Sequence, residues 1–168
     1  MVNGRVCLIR EYVEGPSLMD VSLPIELDVH VVCEAARALH ALHAEGIVHR
    51  CIWPHKILLR YDGSVKLLGS GRCESATGAR GETGARMDVY NLMRILGCLL
   101  GHYRKSDFVP SYTRLSACFN LGLTRFGTES SLIDTCENLI ADFHNLSAID
   151  VANTLSAWIA DYEPLYPA

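Results

Sequence analysis

The residues able to do chemistry crowd into one short stretch, His49-Arg50-Cys51-Ile52-Trp53-Pro54-His55-Lys56. A cysteine close to an arginine and a histidine can act as a thiolate nucleophile, because neighbouring cations favour the anion. The commoner fate of such a cysteine is an inert, partly buried thiol, and that is the reading taken for Cys51. Cys33, His40, His43, His49 and Cys51 are also zinc-ligand types, but their spacings run along one helix and match no structural zinc pattern. No metal is expected. Trp53, an aromatic side chain on a loop, is the best single candidate for anchoring a partner. Further on, Ser75, Thr77 and Thr83 stand among arginines between Arg72 and Arg86. A phosphorylation site or docking strip competes there with a solvated linker, and the linker is favoured.

Regular elements must hold this loop. Val29, Val32, Ala35, Ala36, Leu39 and Leu42 recur at three- and four-residue steps, so Ile25 to Glu45 reads as an amphipathic helix. Pro24 suits its first turn, Asp28 suits its dipole, and Gly46 suits its C-terminal end. After the loop, Ile57-Leu58-Leu59 and Val65-Lys66-Leu67-Leu68 flank Tyr61-Asp62-Gly63-Ser64, a hairpin signal. Gly69 to Gly84 is rich in Gly, Ser, Ala, Arg, Glu and Thr and reads as a flexible surface loop. Met87 to Leu100 should be a buried helix, with one more helix near Tyr112 to Leu121. Two helices close the domain, with possible capping patterns at Ser131-x-x-Asp134 and Ser147-x-x-Asp150. Upstream, Val6-Cys7-Leu8-Ile9-Arg10 reads as a strand, with Gly15-Pro16 breaking the chain after it.

The chain's 168 residues, 49% of them hydrophobic and 20% charged, fit one globular domain. A net charge of −4, with no Lys/Arg run, excludes the electrostatic footprint of a nucleic-acid binder and offers no anionic-membrane anchor. No apolar stretch reaches spanning length, and the beginning of the chain lacks a signal-peptide pattern. Seven dispersed cysteines read as reduced, mostly buried thiols, so a cytoplasmic setting is expected.

Four segments, in order, carry a resemblance: "EYVEGPSL", "LHALHAEGIVHR", "ILLRYDGSVKLLGSG" and "DVYNL". Together they resemble the hinge and C-lobe of a eukaryotic-like Ser/Thr protein kinase of the bacterial type. The resemblance implies a mainly α fold, with a short β-hairpin and one residual N-lobe strand. It implies one domain over 1–168, with strand and hinge in 1–16 and a shortened, flexible activation-segment-like loop in 69–86. Phosphoryl transfer in that family needs an Asp that accepts the substrate proton, and oxygen ligands for magnesium. Cys51 stands at the Asp position, Trp53 at a conserved Lys, Lys56 at the magnesium-binding Asn, and Gly69-Ser70-Gly71 at Asp-Phe-Gly. The family's Ala-Pro-Glu, and the Arg that pairs with its Glu, are both missing.

What the resemblance leaves is architectural: His49 and Arg50 held by Asp88, with Arg50 free to meet Glu74 or Glu82. The expectation is therefore a truncated, catalytically inactive pseudokinase with no catalytic residues and no cofactor. It would serve as a scaffold through a face including Val6, Leu8, Tyr12 and Trp53, covered by a protein partner or a second copy. Alternatives are a sensor holding a purine on the backbone of Glu11 to Val13, and a regulatory subunit of a complete kinase.

Overall fold

The computed structural model describes residues 9–100 and 130–161, and the architecture over them is mainly helical. Helices α1 (Ile25–Ala44), α2 (Gly78–Leu100), α3 (Ser130–Ala141) and α4 (Ala148–Asp161) carry the core. Between α1 and α2 run β1 (Ile47–Val48), a 3₁₀ turn (Pro54–Lys56), β2 (Ile57–Leu59), β3 (Val65–Leu67), a second 3₁₀ turn (Ser70–Arg72) and β4 (Glu74–Ser75).

The stripe read from the sequence is the buried stripe of α1. Val29, Val32, Ala36 and Leu39 are fully enclosed, packed mainly against α2 and α4. Each larger aliphatic side chain so buried contributes about 1.5–3 kcal/mol. Pro24 sits at the N-cap position, just ahead of the first turn, and Glu26 and Asp28 lie within that turn. At the far end Gly46 takes φ 69° while its N–H donates to the His43 carbonyl at 2.9 Å, a left-handed ending that glycine adopts without strain. The second half of α2 is enclosed on nearly all sides through Val89, Leu92, Met93, Ile95, Leu96 and Leu99. A helix buried all round must occupy the centre of the core.

The hairpin forms where the Asp-Gly signal places it. β2 and β3 pair antiparallel with Ile57 opposite Leu67 and Leu59 opposite Val65. Gly63 takes φ 83°, and Asp62 Oδ1 accepts from the Ser64 N–H at 2.9 Å. The free edge of β2 is covered by the segment after Gly15. Leu59 N–H donates to the Pro16 carbonyl at 2.9 Å and Leu18 N–H to the Ile57 carbonyl at 2.8 Å. Gly15, at φ 138°, passes so close to this strand that a Cβ would lie 1.9 Å from the Leu59 carbonyl oxygen. The Gly-Pro signal thus marks a docked third strand segment as well as a break.

Three expectations need correction. The composition of 69–86 predicts a flexible loop, yet the structure has a 3₁₀ turn and β4 there, and α2 begins at Gly78, well before Met87. The glycines serve close approach: a Cβ on Gly81 would lie 2.2 Å from the Ala76 carbonyl carbon, and one on Gly84 would lie 3.1 Å from Val48 Cγ2. Ser131 does not cap α3. It lies inside a helix that begins at Ser130, and its Oγ accepts from Trp158 Nε1 at 3.2 Å. Ile9 and Arg10 carry no strand, so the described part of the expected N-terminal strand is irregular backbone. Val6, Leu8 and the helix expected near Tyr112 to Leu121 lie outside the described residues. The other capping pattern is present: Ser147 N–H donates to Asp150 Oδ2 at 2.9 Å and Asp150 N–H donates back to Ser147 Oγ at 3.4 Å.

Candidate functional site

The loop that follows β1 is fastened to the core by one carboxylate. Asp88, fully enclosed on α2, accepts the backbone N–H of His49 on Oδ2 at 2.7 Å and that of Arg50 on Oδ1 at 2.8 Å. His43, on the last turn of α1, places Nε2 3.1 Å from the same Oδ2. One side chain of α2 therefore ties α1 to the loop. Buried carboxylates are stable only when their lone pairs are occupied, and here donors from two elements occupy them.

His49 is itself buried. Its Nε2 lies 3.0 Å from the Leu68 carbonyl, and its Nδ1 accepts the N–H of Cys51 at 3.3 Å. A carbonyl can only accept, so the proton sits on Nε2 and the ring is neutral. Burial pushes the imidazole below its ordinary pKa, against the opposing pull of Asp88. His49 is thus committed to holding the loop against β3. Its Nδ1 is already occupied, which leaves it unsuited to act as a base.

Arg50 adopts φ 63°, the one described non-glycine residue at positive φ. That conformation is uncommon for a non-glycine residue and persists where surroundings impose it; here the bond to Asp88 does so. The guanidinium of Arg50 reaches Glu74 at 3.6 Å, in β4, so the segment after the hairpin is drawn back onto the loop. β4 pairs antiparallel with β1, Val48 opposite Glu74, and the Ala76 N–H donates to the Gly46 carbonyl at 2.6 Å.

Cys51, Lys56 and Gly69, the three positions singled out in the sequence, lie around this anchor. Cys51 is half-buried beyond Arg50. Lys56 ends the 3₁₀ turn, its carbonyl accepting from Leu68 N–H at 2.7 Å. Gly69 follows β3 at φ 117°, and a Cβ there would lie 3.3 Å from His49 Cε1 and 3.4 Å from Lys56 Cδ. Lys56 and Gly69 are therefore neighbours, with the lysine stem filling the side of the glycine that a side chain would need. Neither an ammonium nor a glycine hydrogen offers an oxygen donor to a hard divalent cation. Among the described residues no group of three His, Cys, Asp or Glu comes together in a metal-binding arrangement.

The interaction candidates separate. Tyr12 is 90% exposed, as is Ile9, and neighbouring Glu11 meets Lys66 of β3 at 3.2 Å. Trp53 is only half-exposed, packed against the core with its ring 6.0 Å from that of His55. Tyr61, at the hairpin tip and 81% exposed, was not singled out by the sequence, although an aromatic beside Asp-Gly had to be at a turn. Sequence reasoning also missed the placing of Cys73 beside the loop, because two-residue strands such as β1 and β4 leave no periodicity to read. Elsewhere, Arg86 of α2 donates to His144 Nδ1 at 2.9 Å, linking that helix to the turn between α3 and α4.

No protein-family model matches the chain. A stretch of 77 residues, 44% of the chain, is 39% identical to the serine/threonine-protein kinase CST20 of Candida albicans. Over the same length it is 38% identical to the serine/threonine-protein kinase PAK mbt of Drosophila melanogaster. A stretch of 73 residues is 36% identical to a probable serine/threonine-protein kinase of Clostridium perfringens. These stretches span only 6%, 12% and 11% of the three relatives. Part of this chain is accordingly kinase-related in sequence, with both eukaryotic and bacterial relatives.

Proposed function

We propose that this chain is a kinase-derived binding module, built on a C-lobe-like fold, that does not transfer phosphate. The observation that carries the reading is the packing of Lys56 against Gly69 beside a neutral, fully engaged His49. Phosphoryl transfer depends on positioned metal ions and a proton acceptor near the attacking hydroxyl. Cys51, Lys56 and Gly69 supply neither, while Asp88 continues to hold the loop in shape. A fold kept intact around lost chemistry is suited to recognition. Its contact surface is the exposed strip at Ile9 and Tyr12, extended by Tyr61 and the outer edge of Trp53, and it takes a protein partner or a second copy of the chain.

The test has two arms. Purified chain is incubated with labelled ATP and magnesium or manganese beside generic protein substrates, and its melting temperature is followed with ATP and ADP. No transfer and no metal-dependent shift are expected; transfer of label by the purified chain that is absent from an identically prepared blank without it would overturn the reading. Light scattering before and after Tyr12→Glu then examines self-association, with loss of a dimer as the expected result if the occupant is a second copy.

A second reading, a purine sensor, is favoured by one feature: Glu11, Tyr12 and Val13 run as irregular and largely exposed backbone beside β3. A nucleotide-induced shift that is independent of metal would select it. A regulatory subunit of a complete kinase is the third, and it predicts co-purification with kinase activity that this chain does not itself have.

A further inference from the structure

Two of the half-buried thiols, Cys51 and Cys73, come from opposite sides of the same junction. Antiparallel pairing of β1 with β4 sets Val48 opposite Glu74, and continuing that register sets His49 opposite Cys73. Residues directly opposite in such a pair have Cα atoms ~4.5–5.5 Å apart. Cys51 does not run on away from this point. The positive φ of Arg50 turns the chain, and the N–H of Cys51 folds back to donate to His49 Nδ1. The Arg50–Glu74 ion pair holds the residues adjacent to both cysteines together at 3.6 Å. The Cys73 thiol responds to both neighbours of the loop: burial raises its pKa first, and the negative charges of Asp88 and Cys51 raise it further.

We propose that Cys51 and Cys73 form a redox-responsive thiol pair, which a hydroperoxide converts into an intramolecular disulfide stapling the loop to the β4 segment. Cys51 is the first nucleophile, since burial and the neighbouring negative charge of Asp88 raise the pKa of the Cys73 thiol. The Cys51 thiolate attacks the outer peroxide oxygen, an S–O bond forms, the O–O bond breaks, and the alcohol or water leaves with a proton. The Cys73 sulfur then attacks the Cys51 sulfenic acid. An S–S bond forms, the S–O bond breaks, and hydroxide leaves as water with the Cys73 proton. Two thiols lose two electrons in total, and the peroxide gains them. A short two-residue ladder and one surface ion pair hold β4 against the loop in the reduced chain, so a covalent link there changes how tightly Arg50 and its neighbours are held.

Other thiols provide internal controls. Cys33 is enclosed, with its Sγ 3.3 Å from the Ala152 carbonyl, and burial pushes the Cys136 thiol up to about 12. Both should resist oxidation.

The experiment treats the full chain with graded hydrogen peroxide, blocks remaining thiols, digests without reductant and maps cross-linked peptides by mass spectrometry. The expected result is a peptide pair joining Cys51 to Cys73, released by dithiothreitol, with two of the seven thiols lost from titration. Cys51→Ser and Cys73→Ser should each abolish it, while Cys33→Ser leaves it at the wild-type yield. Linkage of either cysteine to a different partner overturns the proposal, as does stepwise oxidation of Cys51 to sulfinic acid with Cys73 still free, or no reaction at either. Because the map is made on the wild-type chain, a variant that fails to fold does not remove the test.

Discussion

The inner side of the His49–Leu59 loop and its outer side are built by opposite rules. On the inner side Asp88 accepts two backbone N–H groups and faces His43, and His49 uses both ring nitrogens, so each polar group there has a defined partner. On the outer side Cys51 is half-buried and Lys56 packs its stem against Gly69. The inner network is a condition of folding, because a buried carboxylate or N–H without a partner costs more than the bond contributes. The outer positions carry no such condition. They can change while the loop keeps its form.

Substitutions can break that contrast. The largest effect is expected at the inner anchor: Asp88→Ala leaves the His49 and Arg50 N–H groups buried without their acceptor and should cost about 3–5 kcal/mol in urea unfolding. Cys51→Ala, on the outer side, should move the midpoint little; a comparable loss there would mean that both sides are structural. The glycines of α2 come next. Gly81→Ala places a Cβ within 2.2 Å of backbone and should cost about 2–3 kcal/mol, whereas Gly71→Ala, in the 3₁₀ turn before α2, enters open space and should be close to neutral. Gly84→Ala meets only the Val48 side chain, which can shift, so its loss should fall between these two.

A pH titration sharpens the same contrast. Burial lowers the folded-state pKa of His49 below the 6.5 of the exposed side chain, so the unfolded chain takes up the proton more readily. Stability is then complete above the unfolded value and declines as the pH falls through it. Between neutral and mildly acid pH this one group should therefore make stability decline. His49→Gln should flatten that slope in denaturant midpoints measured across the range, and an unchanged slope would assign the effect to other groups. A small effect is also expected at Arg50. Its pair with Glu74 is open to solvent, so Arg50→Ala should cost no more than about 1 kcal/mol and the difference should shrink in high salt.

Much of the architecture was legible because it rests on periodicity and local turn chemistry. The stripe from Val29 to Leu39 could be buried only as a helix, and Asp62-Gly63 between two apolar triplets could only turn. The Ser147–Asp150 capping box was legible for the same local reason. The segment from Gly69 to Gly84 was misread because glycine has two uses with one appearance. It loosens a chain, and it also lets two backbones approach; only the positions of Ala76 and Val48 distinguish them. Trp53 looked like a free anchor because nothing local said that the core would take up part of its ring.

The sequence by itself determined the helices that make the core, the hairpin, and the residue types at the loop. Those follow from side-chain pattern and composition, which act over a few residues. Tertiary structure alone decided that Asp88 would meet two N–H groups contributed from far along the chain, that Lys56 would lie against Gly69, and that the segment carrying Cys73 and Glu74 would return to the start of the loop. Such meetings depend on how α2 packs on α1 and on the register of a two-residue ladder, and no local pattern encodes either.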